Sequence, residues 1–104
     1  MIYLGNAFSL QMLQGNTEYS LKIHETDLEE VKKLSFLSVV GHEDTANVLT
    51  GLLGKPVQYN RENIVLHKKD VLYVAQITGG RLMPGAMILP EGVKFKFYRI
   101  TFSE

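Results

Sequence analysis

The hydrophobic pattern of the chain predicts six short strands. They are Met1–Leu4, Glu18–His24, Phe36–Val40, Asn63–Leu66, Val71–Thr78 and Val93–Phe102. In Glu18–His24 the apolar residues alternate with polar ones, as is typical of a half-buried strand. In Val93–Phe102 the apolar positions change parity after Tyr98, which predicts either a bulge or burial on both faces.

Between these strands, three segments have features typical of helices. Ala7–Leu13 is a candidate short helix, and Thr26 with Glu29 fits a capping box that starts a helix over Asp27–Leu34. A third helix, beginning near Glu43 or Asp44, has an apolar stripe of Thr45, Val48, Leu49, Leu52 and Leu53 and ends at Gly54, with Pro56 beyond it. Together these elements predict a single α/β (α+β) domain over residues 1–104, in which short helices pack on a mixed central sheet.

Length, composition and charge narrow the function. The chain has 104 residues, which suffices for one core, and its 11 Lys and Arg balance 11 Asp and Glu. A net charge of zero argues against binding DNA or another long polyanion, but it permits a small anionic ligand. The chain has no cysteine, no run long enough to span a membrane and no signal peptide pattern, so we expect a cytoplasmic protein without membrane association.

His42 is the first candidate for chemistry. It follows Gly41 at the point where a strand gives way to a helix, and the free N–H groups at a helix start attract anions. Gly41 would let a ligand approach the backbone closely. An imidazole beside a bound phosphate suits a general acid in phosphodiester cleavage. The alternative is that His42 is only a helix-start residue.

Two arginines and three further polar residues are candidate ligand contacts. Arg81, in the glycine-rich loop Gly79–Gly85, and Arg61, before a predicted strand, could each clamp a phosphate, or could simply be solvated. Asn6 and Ser9 flank the turn after the first strand, where polar groups often line a site. Gln76 is the one polar residue in Val74–Ile77. Its side chain therefore lies either on a solvent-exposed face of the sheet or against a ligand.

Metal or nucleotide-triphosphate chemistry has no motif in this sequence. His24 and His67 lie in polar surroundings and are expected to be solvated. No histidine pair has metal-ligand spacing, and there is neither a Walker loop nor a serine elbow, so we expect no metal site and no cofactor.

The chain resembles the viral and bacterial ring nucleases of the type III anti-CRISPR class, because several short motifs occur in the same order. The motifs are LGNAFS at 4–9, GHEDT at 41–45, QYNR at 58–61, LYVAQI at 72–77 and RL at 81–82. The resemblance spans nearly the whole chain, and the Asn-Ala-Phe-Ser and Gly-His elements are its most specific parts.

The resemblance implies a homodimer that binds cyclic tetra-adenylate across the subunit interface and cleaves it without metal. In such enzymes a ribose 2′-hydroxyl attacks the neighbouring phosphate, which leaves linear products with 2′,3′-cyclic phosphate ends and switches off type III CRISPR signalling. His42 matches the proposed general acid and Arg81 a phosphate-contacting loop arginine. Positions expected to line the ligand are Asn6, Ser9, Gly41, Thr45, Arg61 and Gln76.

The sequence departs from the viral members of that class at two points. They carry an acidic residue shortly after the loop arginine, where this chain has Met83-Pro84; Glu91 is the nearest acid beyond. They also have a helix between this loop and the last strand, where this chain has only residues 86–92. The departures keep two other functions open: a non-catalytic protein that sequesters cyclic oligoadenylate, and a small interaction dimer.

Overall fold

The computed structural model of the protein describes residues 1–103 and contains one five-stranded sheet. Its strands are β1 (Ile2–Gly5), β2 (Ser20–Thr26), β3 (Leu37–Val39), β4 (Val71–Thr78) and β5 (Lys94–Ser103), in the order β2-β5-β4-β1-β3. Two α-helices, α1 (Leu28–Lys32) and α2 (Glu43–Leu53), and a 3-10 turn at Leu10–Met12 complete it. β1 is parallel to β3 and β4, whereas β5 is antiparallel to β2 and β4. The predicted mixed α+β fold is confirmed.

Helix α2 forms where the apolar stripe predicted it. Thr45, Val48, Leu49 and Leu53 are buried, so the stripe faces the sheet. Gly54 ends the helix with a left-handed backbone (φ 68°), a conformation that glycine adopts without the steric penalty of a side chain.

The sheet has a core on each face. On the helix side, Leu4, Tyr73, Ala75 and Phe97 pack against both helices. On the other side, Leu66, Leu72, Val74, Ile100 and Phe102 form a second core under the segment around the 3-10 turn.

Strand β5 supplies both cores without a bulge. Its pairing with β4 and β2 is uninterrupted from Lys94 to Ser103. Phe97 belongs to the helix-side core, whereas Ile100 and Phe102 belong to the other. Of the two explanations for the parity change after Tyr98, burial on both faces is therefore correct.

Strand β2 is more exposed than its alternating pattern predicted. Ile23 is 58% exposed and Leu21 is 37% exposed. β2 is an edge strand, and all of its residues except Thr26 are exposed. The half-buried interpretation of Glu18–His24 is wrong for the isolated chain.

Three local predictions also need correction. Asn63–Leu66 is not a strand, because its backbone runs beside the 3-10 turn, where the Leu66 N–H donates to the Met12 carbonyl (2.7 Å). The predicted helix over Ala7–Leu13 shrinks to the 3-10 turn because Leu13 is already extended. The cap of α1 is Asp27, not Thr26: the Asp27 carboxylate accepts from the Glu30 N–H at 2.9 Å.

In the part of the chain that the structure describes, no helix is long and apolar enough to cross a bilayer.

Candidate functional site

Three candidate residues follow the carboxyl ends of three neighbouring strands. Because β1 is parallel to β3 and β4, these ends meet at one edge of the sheet. Asn6 directly follows β1, His42 follows β3 and Arg81 follows β4. In open sheets with parallel strands, this edge is where ligands commonly bind.

A cavity of about 430 Å³ opens at this edge. It brings together Asn6, His42, Thr45 and Arg81 from the predicted site. Its full lining is Asn6, His42, Thr45, Ile77, Gly80, Arg81 and Leu82. We call it the His42 cavity.

His42 begins helix α2 as its N-cap, with an extended backbone (φ −135°, ψ 121°). Its carbonyl accepts the first helical hydrogen bond, from the Ala46 N–H at 3.0 Å. Its side chain makes no capping hydrogen bond and is exposed. The imidazole therefore lies on the cavity wall with both ring nitrogens available to a ligand.

Arg81 lines the same cavity. It lies in the loop of residues 79–93 that joins β4 to β5, which we call the Arg81 loop. The two ends of the loop lie in close contact. Gly79, whose φ is 85°, approaches the Gly92 carbonyl oxygen so closely that a side chain at this position would overlap it. Arg81 is exposed and takes part in none of the ion pairs of residues 1–103. Its guanidinium is free to bind an anion.

Asn6 fixes the approach of the chain to His42. Its side-chain oxygen accepts from the Gly41 N–H at 3.1 Å, which ties the end of β1 to the turn before α2. Where a side chain would extend from Gly41, the nearest atom is the Arg61 Cγ, 3.4 Å away. Arg61 therefore packs its stem on Gly41, beside His42 but outside the lining of the cavity.

The electrostatics of the helix start are mixed. Glu43 and Asp44 occupy the first turn of α2 and offset the partial positive charge of its N–H groups. An anion in the His42 cavity would consequently depend on Arg81, with Arg61 nearby, more than on the helix end. Asp44 also binds the Arg81 loop: its carboxylate accepts from the Gly85 N–H at 3.1 Å. No sequence signal indicated this contact.

Gln76 lies in a different cavity, on the face of the sheet away from the helices. This cavity measures about 380 Å³ and is mostly apolar, with Ile23, Val74, Tyr98 and Ile100 in its wall. Asn6 borders both cavities, so the two meet at the end of β1.

Ser9 is the predicted site residue that the structure separates from the others. Its hydroxyl oxygen accepts from the Gln11 N–H at 3.2 Å and so begins the 3-10 turn. It borders a smaller cavity of about 180 Å³ together with Glu62 and Asn63. The role of Ser9 that the structure shows is to begin the 3-10 turn.

A polar cluster centred on Glu30 was not predicted. Glu30 of α1 accepts from the Tyr73 hydroxyl (2.7 Å) and from Arg99 (2.9 Å). Hydrogen bonds, from Tyr73 first and then from Thr26 and Arg99, lower the pKa of Glu30. Burial, followed by the bond to Glu30, raises the pKa of Tyr73. This cluster fastens α1 to the sheet, and its charges neutralise each other.

The remaining histidines do not join a site. His24 and His67 are both exposed, as expected. Within residues 1–103, His, Asp and Glu side chains nowhere gather in a group of three that could hold a metal ion.

Comparison with known proteins identifies the family. The sequence model of the STIV B116-like family matches residues 2–102. The chain is 36% identical over 92 residues to "Uncharacterized protein 26" of Sulfolobus islandicus filamentous virus (isolate Iceland/Hveragerdi), covering 85% of this chain and 76% of that protein. Its fold is similar to B116 of Sulfolobus turreted icosahedral virus, with a TM-score of 0.76 and 24% identity over 96% of this chain and 97% of that one. The chain therefore belongs to the STIV B116-like family, a family with viral members.

Proposed function

We propose that the protein is a metal-independent ring nuclease that binds and cleaves cyclic tetra-adenylate. The observation that carries the proposal is the His42 cavity, which is lined by an imidazole without a capping hydrogen bond and by an arginine that has no ion pair among residues 1–103. The sequence resemblance to ring nucleases names the substrate. Since that substrate is a messenger inside the cell, the proposal implies action in the host cytoplasm and removal of the type III CRISPR signal.

The size of the cavity supports action as a homodimer. Pockets for drug-sized ligands measure roughly 300–1,000 Å³, and about 430 Å³ is room for a nucleotide-sized part of the ring. A ring of four nucleotides needs more. A two-fold dimer would present two copies of Arg81 and His42 to a ring that can itself have two-fold symmetry.

The uncovered sheet face supports the same proposal. Ile23 is 58% exposed and borders the apolar cavity that also contains Gln76. A second copy against this face would bury that apolar surface, which favours association. Because Asn6 borders both cavities, a dimer formed there would bring Gln76 close to the ligand.

The chemistry needs a proton donor and a group that stabilises negative charge. The 2′-oxygen forms a bond to the adjacent phosphorus, the bond from phosphorus to the 5′-oxygen breaks, and His42 donates a proton to that leaving oxygen. The 2′-hydroxyl releases its proton to solvent. Arg81 stabilises the charge that develops on the phosphate, and the dimer holds the reacting groups in line.

Sequestration without cleavage is the second candidate. The specific observation that favours it is that no carboxylate lines the His42 cavity among the described residues, so only His42 could accept the 2′-hydroxyl proton, and it cannot serve as base and acid in the same step. The stretch Met83-Pro84 supplies none either. Any rate enhancement would then rest on positioning, Arg81 and His42, without a carboxylate base.

One assay separates these functions. The purified protein is incubated with cyclic tri-, tetra- and hexa-adenylate in EDTA, and products are followed by chromatography and mass spectrometry. Cleavage of the tetramer to products with 2′,3′-cyclic phosphate ends supports the nuclease. Tight binding without products supports sequestration, and absence of binding leaves the small interaction dimer.

A further inference from the structure

Asp44 joins the start of α2, where His42 lies, to the loop that carries Arg81. It lies in the first turn of α2, just beyond His42, and its carboxylate accepts from the Gly85 N–H of the Arg81 loop at 3.1 Å. It is the one side chain of α2 that hydrogen-bonds to this loop in the described part of the chain.

The loop presents the Gly85 N–H through a defined turn. The Ala86 N–H donates to the Met83 carbonyl at 3.0 Å, which closes a four-residue turn. Pro84 and Gly85 occupy its centre, and the φ of Gly85 is 79°. Pro followed by a glycine with positive φ is the signature of a type II turn. The turn uses the Ala86 N–H and leaves the Gly85 N–H for an outside acceptor.

The Arg81 loop is consequently held at two places. Its ends meet where Gly79 packs against the Gly92 carbonyl, and its far turn is bound to Asp44. Arg81 lies between these two points. Loss of the bond at Gly85 would remove the hydrogen bond that ties residues 80–86 to α2, while Met87 and Ile88 still border that helix.

We infer that Asp44 is a positioning residue that holds Arg81 at the His42 cavity, acting through the Gly85 N–H. The role of Arg81 in ligand binding rests on the proposed function; the bond and its effect on the loop do not. The inference predicts the direction in which the affinity for an anionic ligand changes when Asp44 is replaced. Removing a negative charge beside an anion site should by electrostatics alone tighten binding, whereas loss of the positioning bond should weaken it.

The matched variants are Asp44→Ala, Asp44→Asn and Glu43→Ala. Glu43 shares the helix turn and the charge of Asp44 but is exposed and makes no hydrogen bond to the loop. In Asp44→Asn the side-chain oxygen can still accept from Gly85. We expect Asp44→Ala to weaken binding of cyclic tetra-adenylate about fivefold, the effect of one net hydrogen bond. Glu43→Ala should leave binding unchanged or tighten it, and Asp44→Asn should recover most of the loss.

A double-variant comparison tests whether Asp44 acts through Arg81. Asp44→Ala should cost nothing further in an Arg81→Ala background, because the arginine to be positioned is gone. Equal losses in both backgrounds, or tighter binding by Asp44→Ala, would overturn the inference.

Nuclear magnetic resonance of the ligand-free protein decides the structural part independently. Asp44→Ala should speed hydrogen exchange of the Gly85 amide and increase fast backbone motion over residues 80–86, whereas Glu43→Ala should change neither. An unchanged Gly85 amide in Asp44→Ala contradicts the inference. If the wild-type protein binds no cyclic oligoadenylate, the proposed function fails while these amide measurements still decide whether Asp44 orders the loop.

Discussion

The starts of the two α-helices use their polar side chains in opposite ways. At α1, Asp27 caps the helix and Glu30 is paired with Tyr73 and Arg99. At α2 the His42 side chain makes no capping hydrogen bond, and Arg81, which lines the same cavity, has no ion pair among residues 1–103. Groups that neutralise each other stabilise the fold, whereas groups left open to solvent can be neutralised by a ligand. The comparison therefore separates residues that stabilise the fold from residues that we propose to bind a ligand.

The largest effect should come from replacing the N-cap residue of each helix, His42 and Asp27, by alanine. His42→Ala should lower the single-turnover rate of ring cleavage about 10²–10⁴-fold, the usual contribution of a general acid. Its affinity for the ring should change little because the imidazole acts on the leaving group. Asp27→Ala is the control: it should cost about 1 kcal/mol of unfolding free energy through loss of a cap and leave cleavage intact. If His42→Ala lost binding and rate equally, the acid role would be refuted.

The two arginines offer the next contrast. Arg81→Gln should weaken ring binding about 10- to 100-fold, the value of a charge-assisted hydrogen bond to phosphate, without changing the melting temperature. Arg99→Gln removes a guanidinium that is bound to Glu30 at 2.9 Å. It should lower the melting temperature and leave binding unchanged. Calorimetric titration and thermal melts measure both; a reversed pattern would mean that the two clusters have been assigned the wrong roles.

Acid should erase the contribution of the α1 cluster. Hydrogen bonds, chiefly from Tyr73, lower the pKa of Glu30 from its ordinary value of 4.5, so the folded state favours the carboxylate. The resulting stabilisation is present above that ordinary value and is lost as the pH falls through the lowered folded-state pKa. Since about a third of the Glu30 side chain is exposed, Glu30→Gln should cost only about 1 kcal/mol at pH 7.

Urea denaturation of wild type and Glu30→Gln at several pH values measures this contribution. The difference in unfolding free energy should shrink steadily below pH 4.5. Glu29→Gln, one position earlier and exposed, is the control. A difference that stayed constant down to pH 3 would show that Glu30 stabilises the protein by packing and not by its charge.

The elements that were predicted correctly depend on regular local patterns. Helix α2 follows from an apolar stripe that ends at Gly54, and β4 follows from the apolar run Val71–Thr78. Asn63–Leu66 has the composition of a strand but no strand to pair with, and composition does not reveal partners. The exposure of β2 likewise depends on its place at the sheet edge, which no local pattern encodes.

The candidate site was predictable only in part. His42 and Arg81 could be found because each follows a strand at a turn rich in glycine. The contacts of Asp44 with Gly85 and of Glu30 with Tyr73 join residues 41 and 43 positions apart in the chain. Such contacts depend on how the elements pack, so a single sequence indicates neither the positioning bond nor the polar cluster.

The smallest expected effect is a gain in stability. Serine is a much better N-cap than residues whose side chains cannot accept from the next turn, and His42 makes no such bond. His42→Ser should therefore raise the unfolding free energy by about 0.5 kcal/mol, measurable by urea denaturation. The same substitution should slow cleavage as much as His42→Ala does. If His42→Ser lowered stability instead, the His42 imidazole would be stabilising the fold by packing, despite its exposed position. The proposed division between an α1 start that stabilises the fold and an α2 start that binds a ligand would then have to be abandoned.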